Sequence, residues 1–179
     1  MSSSKTVTIF GSSRPKAREL DYEIARELGK LLAASGFAIC NGGYGGTMEA
    51  AARGAKEVGG ATIAVTSEFF SAQANAWIDR NIVVKTLVDR LMKLIELGDA
   101  YVVLKGGTGT LLELASVWEF INKKAMRQKP LVVVGNFWNS TINTLKKELM
   151  VEGLERSANY VTNVESPEQC VKLLRENLR

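Results

Sequence analysis

Short runs of β-branched and aliphatic residues alternate along this chain with longer stretches whose apolar positions recur at helical spacing. Val7-Thr8-Ile9-Phe10 predicts a buried first strand, closed by Gly11-Ser12-Ser13. Ile24, Leu28, Leu31 and Leu32 share one face of a helix over Asp21–Ala34, and Ser35-Gly36 supplies its stop. Phe37–Cys40 predicts a second strand, alanine-rich Thr47–Val58 a second helix, and Ala61–Thr66 a third strand. Ser67–Asp79 has no clear period and reads as a loop with room for a short helix. Ile82–Val84 is a short strand. Thr86, with Asp89 three residues on, forms a capping-box pattern that opens a helix to Leu97. Tyr101–Leu104 predicts the next strand, followed by a helix ending near Lys124. Leu131–Val134, a helix over Thr141–Val151 and a strand at Tyr160–Thr162 complete the alternation. Ser166-Pro167-Glu168-Gln169 opens a last helix with a cap, a first-position proline and a partner for the cap.

Nearly every strand is followed by a helix, which implies a mostly parallel sheet covered on both faces. The expected class is α/β, a Rossmann-like doubly wound fold. No repeat, linker or low-complexity segment divides residues 1–179, so one domain is expected.

Composition narrows the chemistry. The 179 residues include no histidine. That excludes protease triads with an imidazole base, metalloprotease motifs built on histidine, and any zinc site that needs it. Two cysteines, Cys40 and Cys170, are too few for a thiolate metal site and read as free thiols. No metal and no cofactor is expected. Lys and Arg number 23 against 19 Asp and Glu, a net charge of +4. The densest basic stretch, Lys123, Lys124, Arg127 and Lys129, reads as the solvated end of a helix, not as a nucleic-acid grip. The opening Met-Ser-Ser-Ser-Lys lacks the apolar core of a signal peptide, and no apolar run is long enough to span a bilayer. A cytoplasmic protein with neither nucleic-acid nor membrane partners is expected.

In such a fold, ligands bind where loops leave the carboxyl ends of strands and enter helix N-termini. Three loops have that placement: Gly11-Ser12-Ser13-Arg14, Asn41–Thr47 and Lys105–Thr110. Glycine lets the backbone approach a ligand closely, and free amides at a helix start attract anions. A phosphorylated ligand is the expected occupant. Neither glycine cluster makes a dinucleotide fingerprint, because Met48 and Leu112 stand where the third glycine would fall. A mononucleotide fits better than a dinucleotide. Glu113 falls in the first turn after the second glycine cluster, beside any phosphate or ribose held there. Arg90 falls in the first turn of the preceding helix, where a cation opposes the helix dipole and points to an anionic partner. Glu49 has the corresponding place after the other glycine loop and is a candidate for a ribose hydroxyl; Asp99 reads as a turn or cap.

Gly106-Gly107-Thr108-Gly109-Thr110-Leu111-Leu112-Glu113 resembles the P-G-G-x-G-T-x-x-E signature of the Lonely Guy (LOG) family, once labelled possible lysine decarboxylases. Gly11-Ser12-Ser13 resembles that family's first loop, and Gly42-Gly43-Tyr44-Gly45-Gly46-Thr47-Met48 its second. The separation of Arg90 from Glu113 also resembles its Arg–Glu pair, and the likeness spans nearly the whole chain. The resemblance implies a Rossmann-like homodimer that binds a nucleoside 5′-monophosphate and hydrolyses its N-glycosidic bond. By the same resemblance Gly106–Thr110 cradle the phosphate, with Gly11, Ser12, Ser13, Gly42, Gly43, Gly45, Gly46, Thr47 and Met48 completing the pocket. Glu113 then stabilises the ribosyl cation or positions water, and Arg90 orients the substrate and Glu113 or assists departure of the base. Two departures stand out. Lys105 replaces the signature proline, where it either meets the phosphate or faces solvent. The second basic residue of plant-type members is expected near Lys93 and Glu96. The second loop is also similar to that of molybdenum-cofactor carrier proteins, which implies the alternative of a binding protein without turnover.

Overall fold

The computed structural model describes residues 4–70 and 72–178; the reading of the opening Met-Ser-Ser as leaderless lies outside them. Seven strands form one sheet: β1 (Thr6–Phe10), β2 (Ala38–Asn41), β3 (Thr62–Ser67), β4 (Arg80–Val84), β5 (Ala100–Val103), β6 (Leu131–Val134) and β7 (Val161–Val164). Their order is β4-β3-β2-β1-β5-β6-β7, and every pair is parallel. The helices are α1 (Leu20–Ala34), α2 (Thr47–Glu57), α3 (Leu87–Leu97), α4 (Thr108–Asn122), α5 (Asn139–Val151), α6 (Glu155–Ala158) and α7 (Pro167–Asn177). No described helix is long and apolar enough to cross a membrane.

The period-two pleat of the strands sorts the core into two layers. Val7 and Ile9 of β1 and Ala100 and Val102 of β5 face α1, α2 and α7, together with Leu28, Ala51 and Leu174. Phe10, Tyr101 and Val103 point the other way and pack with Leu94, Val117, Trp118 and Ile142 of α3, α4 and α5. Both caps read from sequence are made. Thr86 and Asp89 close a reciprocal capping box on α3, and the Ser166 hydroxyl accepts from the Gln169 amide at the start of α7.

Three local readings change. The short helix α6 was not foreseen, because four residues carry no detectable period. The β3–β4 connection holds no helix among its described residues, yet the strands it joins are parallel neighbours. Helix α4 begins at Thr108, so Glu113 sits in its second turn and not its first. The basic cluster is spent locally: Lys123 pairs with Glu119, Arg127 with Asp99, and Lys129 donates to the Gly98 carbonyl.

Helices α1 and α2 cross at backbone contact. A Cβ on Gly29 would collide with the Ala51 carbonyl, and one on Gly54 with the Arg26 carbonyl. Because the obstacle is main chain and not a flexible side chain, neither position can repack. Gly54→Leu is therefore expected to lower the unfolding free energy by about 3 kcal/mol or more, at the upper end of overpacking costs. Gly153→Asn, in open space at a left-handed position, is expected to cost less than about 1 kcal/mol. Urea unfolding of the two variants checks the contrast.

Candidate active site

The direction in which the chain travels across the sheet reverses between β1 and β5. Helices on opposite faces diverge there and leave a crevice beyond the strand ends. A cavity of about 560 Å³ occupies it. Its lining takes Phe10, Gly11, Ser12, Ser13 and Arg14 from the β1 loop, and Gly42, Tyr44 and Met48 from the β2 loop and α2. Arg90 enters from α3, Phe70 and Ala72 from the β3–β4 connection, and Gly107, Thr108, Gly109, Thr110 and Glu113 from α4.

The loops divide the work. Thr47 is buried, and both its amide and its hydroxyl donate to the Ser12 carbonyl, at 2.9 and 3.0 Å. Gly46, at φ +68°, and Gly11 are glycines because that junction leaves no room: a Cβ on either would strike Ser12, Ser13 or Thr47. The Gly43 amide is likewise engaged, donating to the Asn41 side-chain oxygen at 2.8 Å, while the Asn41 amide group donates to the Met48 carbonyl at 3.0 Å. Gly43, Gly45, Gly46 and Thr47 thus build the wall without lining the cavity themselves.

The α4 loop is different. Gly107 precedes the helix with no side-chain cap, and a Cβ on Gly107 or Gly109 would meet nothing. Neither has a positive φ. Packing and strain give no reason for glycine at these two places, and a glycine inside a helix costs up to about 1 kcal/mol against alanine. The backbone at both positions is left open to the cavity. Gly106 belongs to the frame, since a Cβ there would meet the buried Thr110 side chain.

Arg90 and Glu113 come together at the inner end of the cavity. Arg90 Nη1 stands 3.9 Å from Glu113 Oε1, and the two side chains are only 14% and 15% exposed. Arg90 Nε donates to the Val65 carbonyl at 2.9 Å, and its guanidinium fills the space a Gly42 side chain would need. The anionic partner that the placement of Arg90 called for is therefore Glu113 itself. Withdrawal from water pushes the Glu113 carboxyl up to about 7, against the opposing pull of the Arg90 cation.

Other candidates lie elsewhere. Lys105 does not line this cavity: its Nζ pairs with Asp21 at 2.9 Å and rests over the Phe137 ring. Glu49 accepts from the Tyr22 hydroxyl at 3.2 Å and is not at the site, because the inward face of α2's first turn belongs to Met48. Lys93 pairs with Glu96. Asp99 accepts from the Thr6 amide, as a turn residue would. Both cysteines are buried and free, and burial pushes their thiols up to about 12. Among the described residues no group of three or more metal-binding side chains converges. Arg14, Asn41 and Tyr44 fall within loops that the sequence singles out, though it assigns their side chains no role; Phe70 and Asn75 fall in the stretch that has no period. Tyr44 alone offered a signal, as the one bulky residue among four glycines.

Comparison with known proteins follows the same lines. A family model described as the SLOG cluster4 family matches residues 4–171. The chain is 33% identical over 132 residues to a cytokinin riboside 5′-monophosphate phosphoribohydrolase of Mycobacterium tuberculosis, spanning 72% of this chain and 70% of that one. The same share of identity, over 65% of this chain and 77% of the other, relates it to an uncharacterized protein of Archaeoglobus fulgidus. Among solved structures, the molybdenum cofactor binding protein of Rippkaea orientalis superposes over 100% of both chains with a TM-score of 0.79 and 25% identity.

A carboxyl held up to about 7 in the folded chain, against an ordinary 4.5, binds a proton that the unfolded chain has released. Stability must then fall as pH rises from about 4.5 to about 7, by no more than about 3 kcal/mol. Glu113→Gln is expected to flatten that part of the stability–pH curve, read by urea unfolding across the window.

Proposed function

This chain belongs to the SLOG cluster4 family, of LOG type, and from that premise we propose that it is a nucleoside 5′-monophosphate phosphoribohydrolase. The observation that carries the reading is the adjacency of the open α4 N-terminus to a carboxylate withdrawn from water and faced by a single arginine. The relative from Mycobacterium tuberculosis, named for this reaction, supports it.

In this reading the 5′-phosphate seats on the amides of Gly107 to Thr110, where the helix dipole favours an anion and the two glycines admit it closely. Ser12, Ser13 and Arg14 stand across the cavity. The ribose then lies over Glu113. As the bond from C1′ to the base nitrogen breaks, positive charge grows on the sugar, and an ionised Glu113 stabilises it or aligns the attacking water. The water oxygen bonds to C1′, its proton ends on the departing base, and ribose 5-phosphate remains. Arg90 keeps the carboxylate ionised and oriented. No imidazole is needed, which suits a chain without histidine. The first loops offer a wall for the base, with Tyr44, Met48 and Phe70 at that end.

Self-association belongs to the same reading. Leu87, Val88 and Met92 on α3 and Leu112 on α4 are exposed apolar side chains beside the site. A second copy of the chain is the proposed cover. Val88→Glu is expected to shift the oligomer toward monomer in light scattering.

A carrier that holds a phosphorylated ligand without turnover is the second reading, favoured by the end-to-end match with the Rippkaea orientalis protein. Mass spectrometry of ligand retained through purification separates the two, since an intact pterin supports the carrier.

Incubation with AMP and other nucleoside monophosphates, assayed for ribose 5-phosphate, tests the hydrolase. Glu113→Gln is expected to reduce kcat at least about 100-fold. Because the carboxylate form is the active one, kcat/KM should rise with pH through about 7 and then level. Activity equal to that of a Glu113→Ala variant across all substrates refutes the reading.

A further inference from the structure

Tyr44 lies inside the second glycine loop, and its contacts exceed what lining a cavity requires. The Arg90 guanidinium carbon stands 5.4 Å from its ring centroid, within cation–π range. Its hydroxyl accepts from the Ser67 amide at 3.1 Å, at the end of β3. Phe70 meets the ring edge-on, with centroids 5.4 Å apart. The backbone under Tyr44 is fastened as well: the Asn75 side-chain amide donates to the Gly43 and Tyr44 carbonyls, both at 2.9 Å, and the Asn75 main-chain amide donates to Gly43 at 2.8 Å. Tyr44 is therefore held by its backbone, its hydroxyl and its ring edge.

Arg90 is held less well without it. Its Nε makes one hydrogen bond to Val65, which acts as a pivot, while Nη1 reaches toward Glu113 and Nη2 lies 4.0 Å from the Met48 sulfur. A planar cation on one pivot can swing; the same cation resting on a fixed ring cannot. We propose that Tyr44 is a positioning residue for the Arg90–Glu113 pair, its ring fixing where the Arg90 cation stands relative to the Glu113 carboxylate. The β3–β4 connection, through Asn75, thereby helps set the charge balance of the site. Arg14, Arg90 and Glu113 are the charged side chains that line this cavity, and Arg90 is the one acting on Glu113. Asp89 of the same helix is engaged by Thr86, and Lys93 by Glu96.

The test compares Tyr44→Phe with Tyr44→Leu in the full chain. The first readout is the Glu113 titration midpoint by carbon-13 NMR, which needs no turnover. Tyr44→Leu is expected to raise that midpoint, because a cation that has swung away no longer favours the carboxylate; Tyr44→Phe, which keeps the ring, leaves it in place. Tyr44→Met fills similar space without an aromatic face and takes the place of Tyr44→Leu if that variant unfolds. The second readout rests on the hydrolase reading: Tyr44→Leu should lower kcat about ten- to thirty-fold, Tyr44→Phe should recover most of that loss, and any change in KM reports the separate contact of the ring with the base. An unmoved midpoint in folded Leu and Met variants, or a Phe variant as shifted as they are, overturns the proposal. If the wild-type chain hydrolyses no nucleotide, the hydrolase reading falls, and the NMR arm still decides the role of Tyr44.

Discussion

Holding a carboxylate away from water at the end of a parallel sheet demands a cation beside it, and that demand organises this structure. Glu113 can leave solvent because Arg90 reaches it from another helix. Arg90 can reach it because residue 42 has no side chain, because the Val65 carbonyl takes its Nε, and because Tyr44 supports its plane. Two of those supports, Gly42 and Tyr44, follow β2, and the third, Val65, lies in β3. The pair therefore depends on β2, β3, β4 and β5 lying in register, with α3 and α4 delivered to the same face. The opposing pulls of desolvation and Arg90 leave the acid near neutrality, where a small change in either pull alters its charge.

Glycine serves two physical purposes here that look alike in sequence. At Gly11 and Gly46 it answers crowding, since backbone and the Thr47 hydroxyl occupy the space a side chain would take, and at Gly42 and Gly43 neighbouring side chains do. In the α4 loop it faces open cavity. The first kind makes a rigid wall and the second leaves a surface for a ligand. Gly29 and Gly54 extend the first purpose to the α1–α2 crossing, so that close helix packing steadies the layer behind the wall.

Much of the fold was legible because strand burial and helix amphipathicity are local patterns. Two-sided burial of β5 and β6 shows as unbroken apolar runs, and the Thr86 and Ser166 caps show as short spaced signals. The three loops that meet at the cavity were legible for the same reason, as glycine clusters between a strand and a helix. Helix α6 was not, because four residues carry no period to read, and the loop reading of the β3–β4 connection did not reveal its fastening through Asn75. The placement of Lys105 and Glu49 also escaped. Each sits at a promising position in the chain, yet Asp21 and Tyr22, far off in sequence, claim them in space.

By itself, then, the sequence determined the alternation of strands and helices apart from α6, the class of fold, and the glycine loops that leave the strand ends. It did so because hydrophobic period, caps and glycine clusters act over a few neighbours. Only the tertiary structure decided which glycines open toward the cavity, that Arg90 and Glu113 meet, and that Tyr44 and Asn75 stand against them. Those facts depend on distances between segments about twenty to fifty residues apart, which are set when the sheet closes its register and exist nowhere in the linear chain.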